Sequence, residues 1–385
     1  MYDELLLVPG PTGLSSRVLK ALARPQISHF SSEFVNSFSE TLELTKYLFQ
    51  THDAQPYILA GSGTLGMESI VTSFLESGDR VLVLDTGPFG ERFAIIASVC
   101  GAKVDVIKAE FGRVPSLEEV EKKLSEENYK AIFLTHVDTG STVMNNVKGI
   151  VEIAKKYGVS SIVDSVCGVG GMELLFDNWG IDIALAGSQK AIAAPPGLSL
   201  IVASKKALEM MNSRKTPIRS FYMDLTRWTK YMLDPSIYVA TPAVNLSLAL
   251  REALLEIKEE GLEKRWTRHR IIAEGIRAGI EKLELKFVAE EEHRADTVTG
   301  FYITNKKAGE LHSMLKREYR IEVAKGLKEL RDSMLRIGHF GNISGNDVVA
   351  TIAALETSCN FLGLTSKRGA VDVSLSHLEK LISRP

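Results

Sequence analysis

The sequence predicts an α/β fold: a large domain built on a three-layer, mainly parallel sheet, followed by a smaller α+β domain at the C-terminus. Three observations lead to this fold class. Short apolar runs rich in β-forming residues recur between residues 57 and 203, helical patterns separate most of them, and the pattern changes after Pro242. Strands that are apolar throughout, with helices between them, are typical of a parallel sheet covered on both faces.

The elements of the large domain follow in chain order from these patterns. The predicted strands cover residues 57–60, 81–85, 104–108, 131–136, 161–164, 183–187 and 198–204. Apolar residues at helical spacing between them predict helices that include residues 64–75, 117–124 and 147–157.

After Pro242, a charged amphipathic stretch over residues 243–283 predicts a long connecting helix system. Beyond it, we expect strands over residues 285–289, 298–304 and 334–337, a helix over 308–319 and a final helix over 346–362. The predicted division is an N-terminal segment (1–15), a large domain (16–255) and a small domain (256–385).

Composition indicates an ordinary globular protein. The chain has 385 residues, 45% of them hydrophobic and 24% charged, which suits roughly two or three packed domains. The formal net charge of −2 gives no overall attraction to nucleic acid or to an anionic membrane, and we predict neither as a partner.

The cysteines and the N-terminus predict a cytoplasmic protein without a metal site. Cys100, Cys167 and Cys359 are too few and too scattered for a disulfide framework or a zinc site. Asp3 and Glu4 precede a short apolar run, the reverse of a signal peptide, and no apolar run is long enough to span a bilayer.

Residues 61–66 have the sequence GSGTLG, directly after a predicted strand and at the start of a predicted helix. This matches the GxGxxG dinucleotide fingerprint, and Asp85 lies at the end of the next strand, where an acidic residue would bind a ribose. A glycine-rich turn with free N–H groups at a helix N-terminus suits any phosphate. A simple tight turn, NAD and another phosphate ligand therefore all remain open.

Lys190 is the only charged residue in a run of small and apolar residues from 183 to 203. A buried ammonium is costly, so such a lysine is deprotonated or covalently used, as a Schiff-base nucleophile requires. A lysine that extends to solvent from a strand end is the alternative. Asp164 follows a predicted strand at the edge where ligands of α/β sheets bind, although it also suits a helix cap. A phosphate cradle, an amine and a carboxylate together indicate pyridoxal 5′-phosphate.

With these residues in place, the chain resembles the class V aminotransferases of fold type I, and within them the alanine–glyoxylate and serine–pyruvate aminotransferase family. The resemblance runs in order from Pro9-Gly10-Pro11-Thr12 to Arg336-Ile337-Gly338. It implies a homodimeric transaminase that moves the amino group of serine or alanine to pyruvate or glyoxylate by a ping-pong aldimine mechanism.

The resemblance also implies a role for each matching residue. Lys190 corresponds to the Schiff-base lysine and general base, and Asp164 to the partner of the ring nitrogen. The other implied cofactor-binding residues are Ser62, Gly63, Thr64 and Gln189 at the phosphate, Phe89 and Val166 on the two ring faces, Thr139 at the phenolic oxygen, and Tyr238 and Thr241 from the neighbouring subunit. Arg336, together with Gly10, corresponds to the site of the substrate carboxylate.

One departure and three alternatives accompany this hypothesis. The order Asp138-Thr139-Gly140-Ser141-Thr142 departs from the STG order common in the family, which leaves open which hydroxyl faces the ring. A class V lyase such as a cysteine desulfurase needs a nucleophilic cysteine on a loop, and Cys359 lies inside a helical pattern. An NAD-dependent dehydrogenase would leave Lys190 and Asp164 unexplained, and an inactive homodimer would leave the whole set unexplained.

Overall fold

The computed structural model describes residues 4–382, so the first three residues of the predicted N-terminal segment lie outside the described residues. The strands are β1 (Leu5–Leu6), β2 (Gln55–Ala60), β3 (Arg80–Asp85), β4 (Lys103–Lys108), β5 (Ala131–Thr135), β6 (Val137–Asp138), β7 (Val143–Met144), β8 (Ser160–Asp164), β9 (Ile183–Gly187), β10 (Leu198–Ala203), β11 (Val298–Tyr302), β12 (Ile321–Glu322), β13 (Ala324–Lys325) and β14 (Met334–Gly338).

The α-helices are α1 (Ser16–Leu22), α2 (Ser32–Phe49), α3 (Gly63–Phe74), α4 (Pro88–Val99), α5 (Leu117–Glu126), α6 (Val147–Lys156), α7 (Phe176–Trp179), α8 (Lys205–Asn212), α9 (Leu225–Leu233), α10 (Val244–Glu260), α11 (Leu262–Lys282), α12 (Ala308–Tyr319), α13 (Gly345–Phe361) and α14 (Ala370–Leu378). Short 3₁₀ turns lie at Glu291–His293, Thr304–Lys306, Lys328–Leu330 and Glu379–Leu381.

A seven-stranded sheet forms the centre of the larger part of the molecule, in the order β2-β10-β9-β8-β5-β3-β4. Strand β10 pairs antiparallel with both of its neighbours, and the remaining strands run parallel to one another. Strands β5, β8, β9 and β10 are buried along their whole length, as expected for a sheet covered on both faces. The seven strands predicted from the sequence are confirmed, and the carboxyl ends of six of them meet at one edge.

A second hydrophobic core lies around the three-stranded antiparallel sheet β11-β14-β13, with side chains from α11, α12, α13 and α14. Leu7 belongs to this core, and β1 pairs with β12, so the N-terminal segment packs with the C-terminal part of the chain. The large-domain core contains residues from Val18 to Leu262. The domain limits given above stay a prediction.

The structure corrects two expectations about elements. Residues 285–289 are not a strand: Phe287 alone forms a bridge, with Phe301, because the chain then turns away to pair Glu290 N with Gly112 O. The helix predicted as final is followed by α14, whose buried contacts come from small residues such as Ser374 and give little periodic signal. The helix system predicted over 243–283 is confirmed and consists of two helices, separated at Gly261, where φ is +82°.

Within residues 4–382, no helix has the combination of length and apolar composition that crossing a bilayer requires.

Candidate active site

Lys190 and Asp164 lie side by side at the carboxyl edge of the central sheet. Asp164 is the last residue of β8, and Lys190 lies in the loop that follows the adjacent strand β9. Burial lowers the pKa of Lys190, and burial raises the pKa of Asp164 to about 6. The charge of each group also acts on the pKa of the other, since the carboxylate favours the ammonium form and the ammonium favours the carboxylate. The sheet therefore brings an amine and a carboxyl group together in a site where burial shifts the pKa of both.

The N-terminal segment covers one side of Lys190. The Nζ atom of Lys190 donates a hydrogen bond to the carbonyl of Pro9. A Cβ atom at Gly10 would lie 2.6 Å from Nζ and 2.7 Å from Cε of this lysine, and the φ of Gly10 is +91°. Both the backbone conformation and the lack of space require glycine here.

The first turn of α3 forms a cradle for an anion. Ser62 precedes the helix as its N-cap but makes no side-chain hydrogen bond to the first turn, which contains Gly63 and Thr64. The Thr64 hydroxyl accepts a hydrogen bond from Nη1 of Arg92 at 3.0 Å. The Oε1 atom of Gln189 is buried and has no hydrogen-bond partner among the described residues. Free N–H groups at a helix N-terminus and a nearby guanidinium favour a phosphate.

Phe89 lies between two glycines after β3, in the first turn of α4. The helix starts there because Pro88 occupies its first position and a buried carboxylate caps its first turn. Asp138 Oδ2 accepts from the N–H groups of Phe89 at 2.9 Å and Gly90 at 3.4 Å. The guanidinium of Arg92 lies 4.7 Å from the centre of the Phe89 ring. The ring is thus fixed from both its backbone and its face.

Asp138 also holds the loop that contains Thr139. Its Oδ1 atom accepts from the N–H groups of Gly140 at 2.8 Å and Ser141 at 3.4 Å. Burial raises the pKa of Asp138, and its four N–H donors oppose that shift. The Ser141 hydroxyl donates to the carbonyl of Thr86 at 2.6 Å and is therefore engaged away from this loop.

Arg336 lies in β14 and is 7% exposed. Its Nη1 donates to Thr139 O at 2.7 Å, while Nε and Nη2 donate to Lys325 O at 3.0 and 2.8 Å. An arginine carries five N–H donors, so this arrangement leaves two for a ligand. Besides burial, the positive charge of Arg336 lowers the pKa of Lys190.

Tyr238 and Thr241 are not brought into this cluster. Both are exposed, and their hydroxyls lie 3.3 Å apart. The Tyr238 ring lies 5.8 Å from the ring of His29 and 6.1 Å from that of Phe30, which is 56% exposed. These residues form an exposed aromatic patch on the described surface.

Two residues of the cluster were missed by the sequence analysis, Arg92 and Asp138. Arg92 follows Phe89 by three residues and Asp138 directly precedes Thr139, so both stand beside residues with an implied role, but the sequence attached no role to them. Their contacts are hydrogen bonds across 28 and 49 residues, which no local pattern predicts.

The geometry disfavours two of the alternatives. Asp85 ends β3, which four strands separate from β2 and its GSGTLG turn, whereas dinucleotide binding needs the acidic residue on a neighbouring strand. Burial raises the pKa of Cys167 to about 11 and that of Cys359 to about 12, so neither is a reactive thiolate.

A family model described as aminotransferase class-V matches residues 14–342. The chain belongs to the class V aminotransferases. It is 36% identical over 379 residues to an uncharacterised aminotransferase of Methanocaldococcus jannaschii, with 98% of each chain covered. It is also 37% identical to alanine–glyoxylate aminotransferase 1 of Saccharomyces cerevisiae, over 88% of this chain and 92% of the relative.

Solved structures agree with this class V assignment. The ureidoglycine–glyoxylate aminotransferase of Bacillus subtilis is 28% identical with a TM-score of 0.94, covering 98% of this chain and 99% of that one. An alanine–glyoxylate aminotransferase from Nostoc sp. is 32% identical with a TM-score of 0.89, covering 93% and 96%. The resemblance inferred from the motifs is confirmed, and this class V chain is an aminotransferase.

Proposed function

We propose that this aminotransferase uses pyridoxal 5′-phosphate and moves the amino group of serine or alanine to pyruvate or glyoxylate. The observation that carries the proposal is the placement of Lys190, half-buried in the loop after β9, beside Asp164, a buried carboxyl group at the end of the adjacent strand β8. Burial lowers the pKa of Lys190 and so raises the share of unprotonated amine, the nucleophile that reaction with an aldehyde requires.

The residues around this pair fit the cofactor. Asp164 has a backbone donor for Oδ1, the Val166 N–H at 2.8 Å, and burial raises its pKa, so a cationic N–H partner would restore its charged form. The orphaned Gln189 Oε1 and the uncapped first turn of α3 suit a polar, phosphorylated ligand. A Cβ at Gly63 would lie 3.0 Å from Val166 Cγ2, so glycine keeps the cradle and the ring-binding side chain close together.

Each residue then has a definite task. Pyridoxal 5′-phosphate, when bound, supplies an aldehyde carbon for the amino group and a ring that accepts electrons as the substrate Cα loses its proton. Asp164 holds a proton on the ring nitrogen, and Phe89 and Val166 orient the ring from its two faces. The Nζ atom of Lys190 acts as the base that takes the Cα proton. Ser62, Gly63, Thr64 and Gln189 bind the phosphate, and Thr139 lies beside the substrate clamp.

The substrate class follows from Arg336 and from the relatives. The two N–H donors that remain free on Arg336 are sufficient for one carboxylate, which favours a small monocarboxylic substrate bound next to Gly10. Two relatives named alanine–glyoxylate aminotransferase support alanine as donor and glyoxylate as acceptor. Serine and pyruvate remain in the proposal because they share the same size and charge.

We also propose a homodimer in the cytoplasm, in which Tyr238 and Thr241 reach the phosphate of the neighbouring subunit. The exposure of Tyr238 (57%) and Phe30 (56%) supports a covered surface in the assembly. Cys100, Cys167 and Cys359 are free thiols, which suits a reducing compartment.

A panel of half-reactions tests the proposal. The wild-type protein loaded with pyridoxal 5′-phosphate should change its absorption spectrum with alanine or serine, and the change should reverse with glyoxylate or pyruvate. Lys190→Ala should keep phosphate binding but lose at least about tenfold in turnover, equivalent to ~1.4 kcal/mol. A variant that keeps more than a tenth of the activity would remove Lys190 as the base.

A further inference from the structure

A buried arginine of α11 reaches the backbone of both segments that carry the proposed chemistry. Arg265 is 2% exposed, and its Nε donates to Gly170 O at 3.0 Å while Nη2 donates to Ala191 O at 2.7 Å. Ala191 directly follows Lys190, and Gly170 lies in the segment that begins after Asp164. A single guanidinium therefore joins the lysine loop to the aspartate segment.

The guanidinium is itself held in place by a carboxylate. Nη1 of Arg265 donates to Glu260 Oε2 at 2.6 Å, and Arg268 Nε donates to Glu260 Oε1 at 2.6 Å. Burial lowers the pKa of Arg265 to about 10 while Glu260 opposes that shift, so the group stays charged at neutral pH. Each of the three guanidinium nitrogens donates to a different acceptor, which uses the fork geometry that lysine lacks.

The lysine loop has internal bonds that shape it. Ala193 N donates to Lys190 O at 2.8 Å, and Ala194 N donates to Ser188 O at 3.0 Å. These bonds close the loop on itself, and neither reaches the segment 165–171. The Arg265 bonds differ from these, because they attach both segments to one side chain of α11. Arg265 lies 74 residues after Ala191 and 95 residues after Gly170.

We propose that Arg265 is a positioning residue that fixes the Lys190 loop against the segment after Asp164 and so sets the relation between the amine and the carboxylate. The inference rests on the proposed roles of these two residues. The inference concerns the order of the backbone, however, and its test does not require the enzymatic reaction. The test therefore stays valid even if the proposed function is wrong.

Hydrogen exchange on the full chain, followed by mass spectrometry, tests this connection between the two segments through Arg265. Arg265→Met should accelerate exchange in peptides covering residues 165–172 and 188–194 by at least about tenfold, since their anchoring donor is gone. Peptides of the sheet at 131–135 should keep the wild-type rate. Arg268→Met is the matched control, because Arg268 also binds Glu260 but donates to the backbone carbonyls of Gly341 and Ile343. This variant should leave the exchange rate of the 188–194 peptide unchanged.

The pH dependence of Lys190 labelling by an amine-reactive reagent gives a second readout in the cofactor-free chain. The charged or titratable groups that act on this amine are Asp164, Cys167, Arg92 and Arg336. A loosened loop lets water reach Nζ, so the pH of half-maximal labelling should rise in Arg265→Met and stay unchanged in Arg268→Met.

Two results would overturn the proposal. One is a folded Arg265→Met protein with wild-type exchange at 188–194, and the other is acceleration spread evenly over the sheet peptides. If Arg265→Met does not fold, Arg265→Lys replaces it. Arg265→Lys keeps the charge but lacks the branched guanidinium, so it should accelerate exchange in the same peptides to a smaller degree. Wild-type exchange in that variant would equally contradict the proposal.

Discussion

At the scale of single residues, Asp164 combines deep burial with a raised pKa. Its folded-state pKa of about 6 lies above the ordinary value of about 3.9, so the folded chain binds this proton more tightly than the unfolded chain does. The contribution of Asp164 to the free energy of unfolding is therefore greatest below about pH 4 and is lost as the pH rises through about 6. A site that keeps such a group accepts lower stability for its chemistry.

We predict that Asp164→Asn stabilises the cofactor-free protein while it lowers transaminase activity. The neutral side chain keeps the acceptor for Val166 N–H and removes a buried charge, so the free energy of unfolding should rise by about 1–3 kcal/mol at about pH 7.5. Urea unfolding at about pH 7.5 and about pH 4 measures the effect, and the gain should shrink at the lower pH. A variant less stable than wild type at the higher pH would refute the assignment.

Residue types at the site were predictable where the chemistry itself needs them. A lysine alone among apolar residues and an aspartate at a strand end stand out in the sequence. Arg92 and Arg265 do not, because their tasks are hydrogen bonds to a hydroxyl and to carbonyls far along the chain. In a charged amphipathic stretch such as α11, the sequence pattern does not distinguish a buried arginine from a solvated one.

At the scale of elements, the start of α3 brings the proposed phosphate-binding turn next to Val166, which we propose contacts the cofactor ring. Gly63 is buried in the first turn, and its missing side chain leaves just enough room for Val166. A helix that begins with glycine and lacks a side-chain cap leaves its N–H groups available to a ligand, at some cost to its own stability.

We expect Gly63→Ala to raise the dissociation constant of pyridoxal 5′-phosphate by about tenfold, or ~1.4 kcal/mol, because the new methyl group displaces Val166 or the helix start. A fluorescence titration measures it. Gly309→Ala in α12 is the control, since a Cβ there meets nothing within 4 Å. Equal dissociation constants for both variants and the wild type would contradict a cradle at this turn.

The elements themselves show why sequence patterns succeed or fail. Strands such as β8 and β9 are continuously apolar because both faces are buried, and their bounds follow closely from the sequence. Helix α14 was missed because it packs on α11 through small residues: Ser374 Oγ donates to Gly275 O at 2.7 Å. The antiparallel direction of β10 depends on its pairing with β2, a neighbouring strand that lies far away in the sequence, so no local pattern predicts it.

At the scale of the whole molecule, the N-terminal segment connects the two cores at the site. Leu7 is buried in the second core, while Pro9 and Gly10 contact Lys190 of the first. The Thr12 hydroxyl donates to Phe340 O at 3.2 Å, just beyond β14. Movement of the second core would therefore shift the N-terminal segment that contacts Lys190.

The proposed dimer predicts complementation between two inactive variants. Lys190→Ala and Tyr238→Ala subunits, unfolded together in equal amounts and refolded, should recover about a quarter of the wild-type activity, because half of the dimers hold one intact site. Each variant refolded alone is the control. Recovery no greater than the mean of the two variants would show that Tyr238 does not act across subunits.

Borohydride reduction followed by peptide mass spectrometry shows whether Lys190 holds the cofactor covalently, as we propose. Wild-type protein incubated with pyridoxal 5′-phosphate should carry one reduced adduct, on the peptide that contains Lys190, and Lys190→Ala should carry none there. An unmodified Lys190 in protein that has been saturated with the cofactor, or an adduct confined to other lysines, would contradict the account.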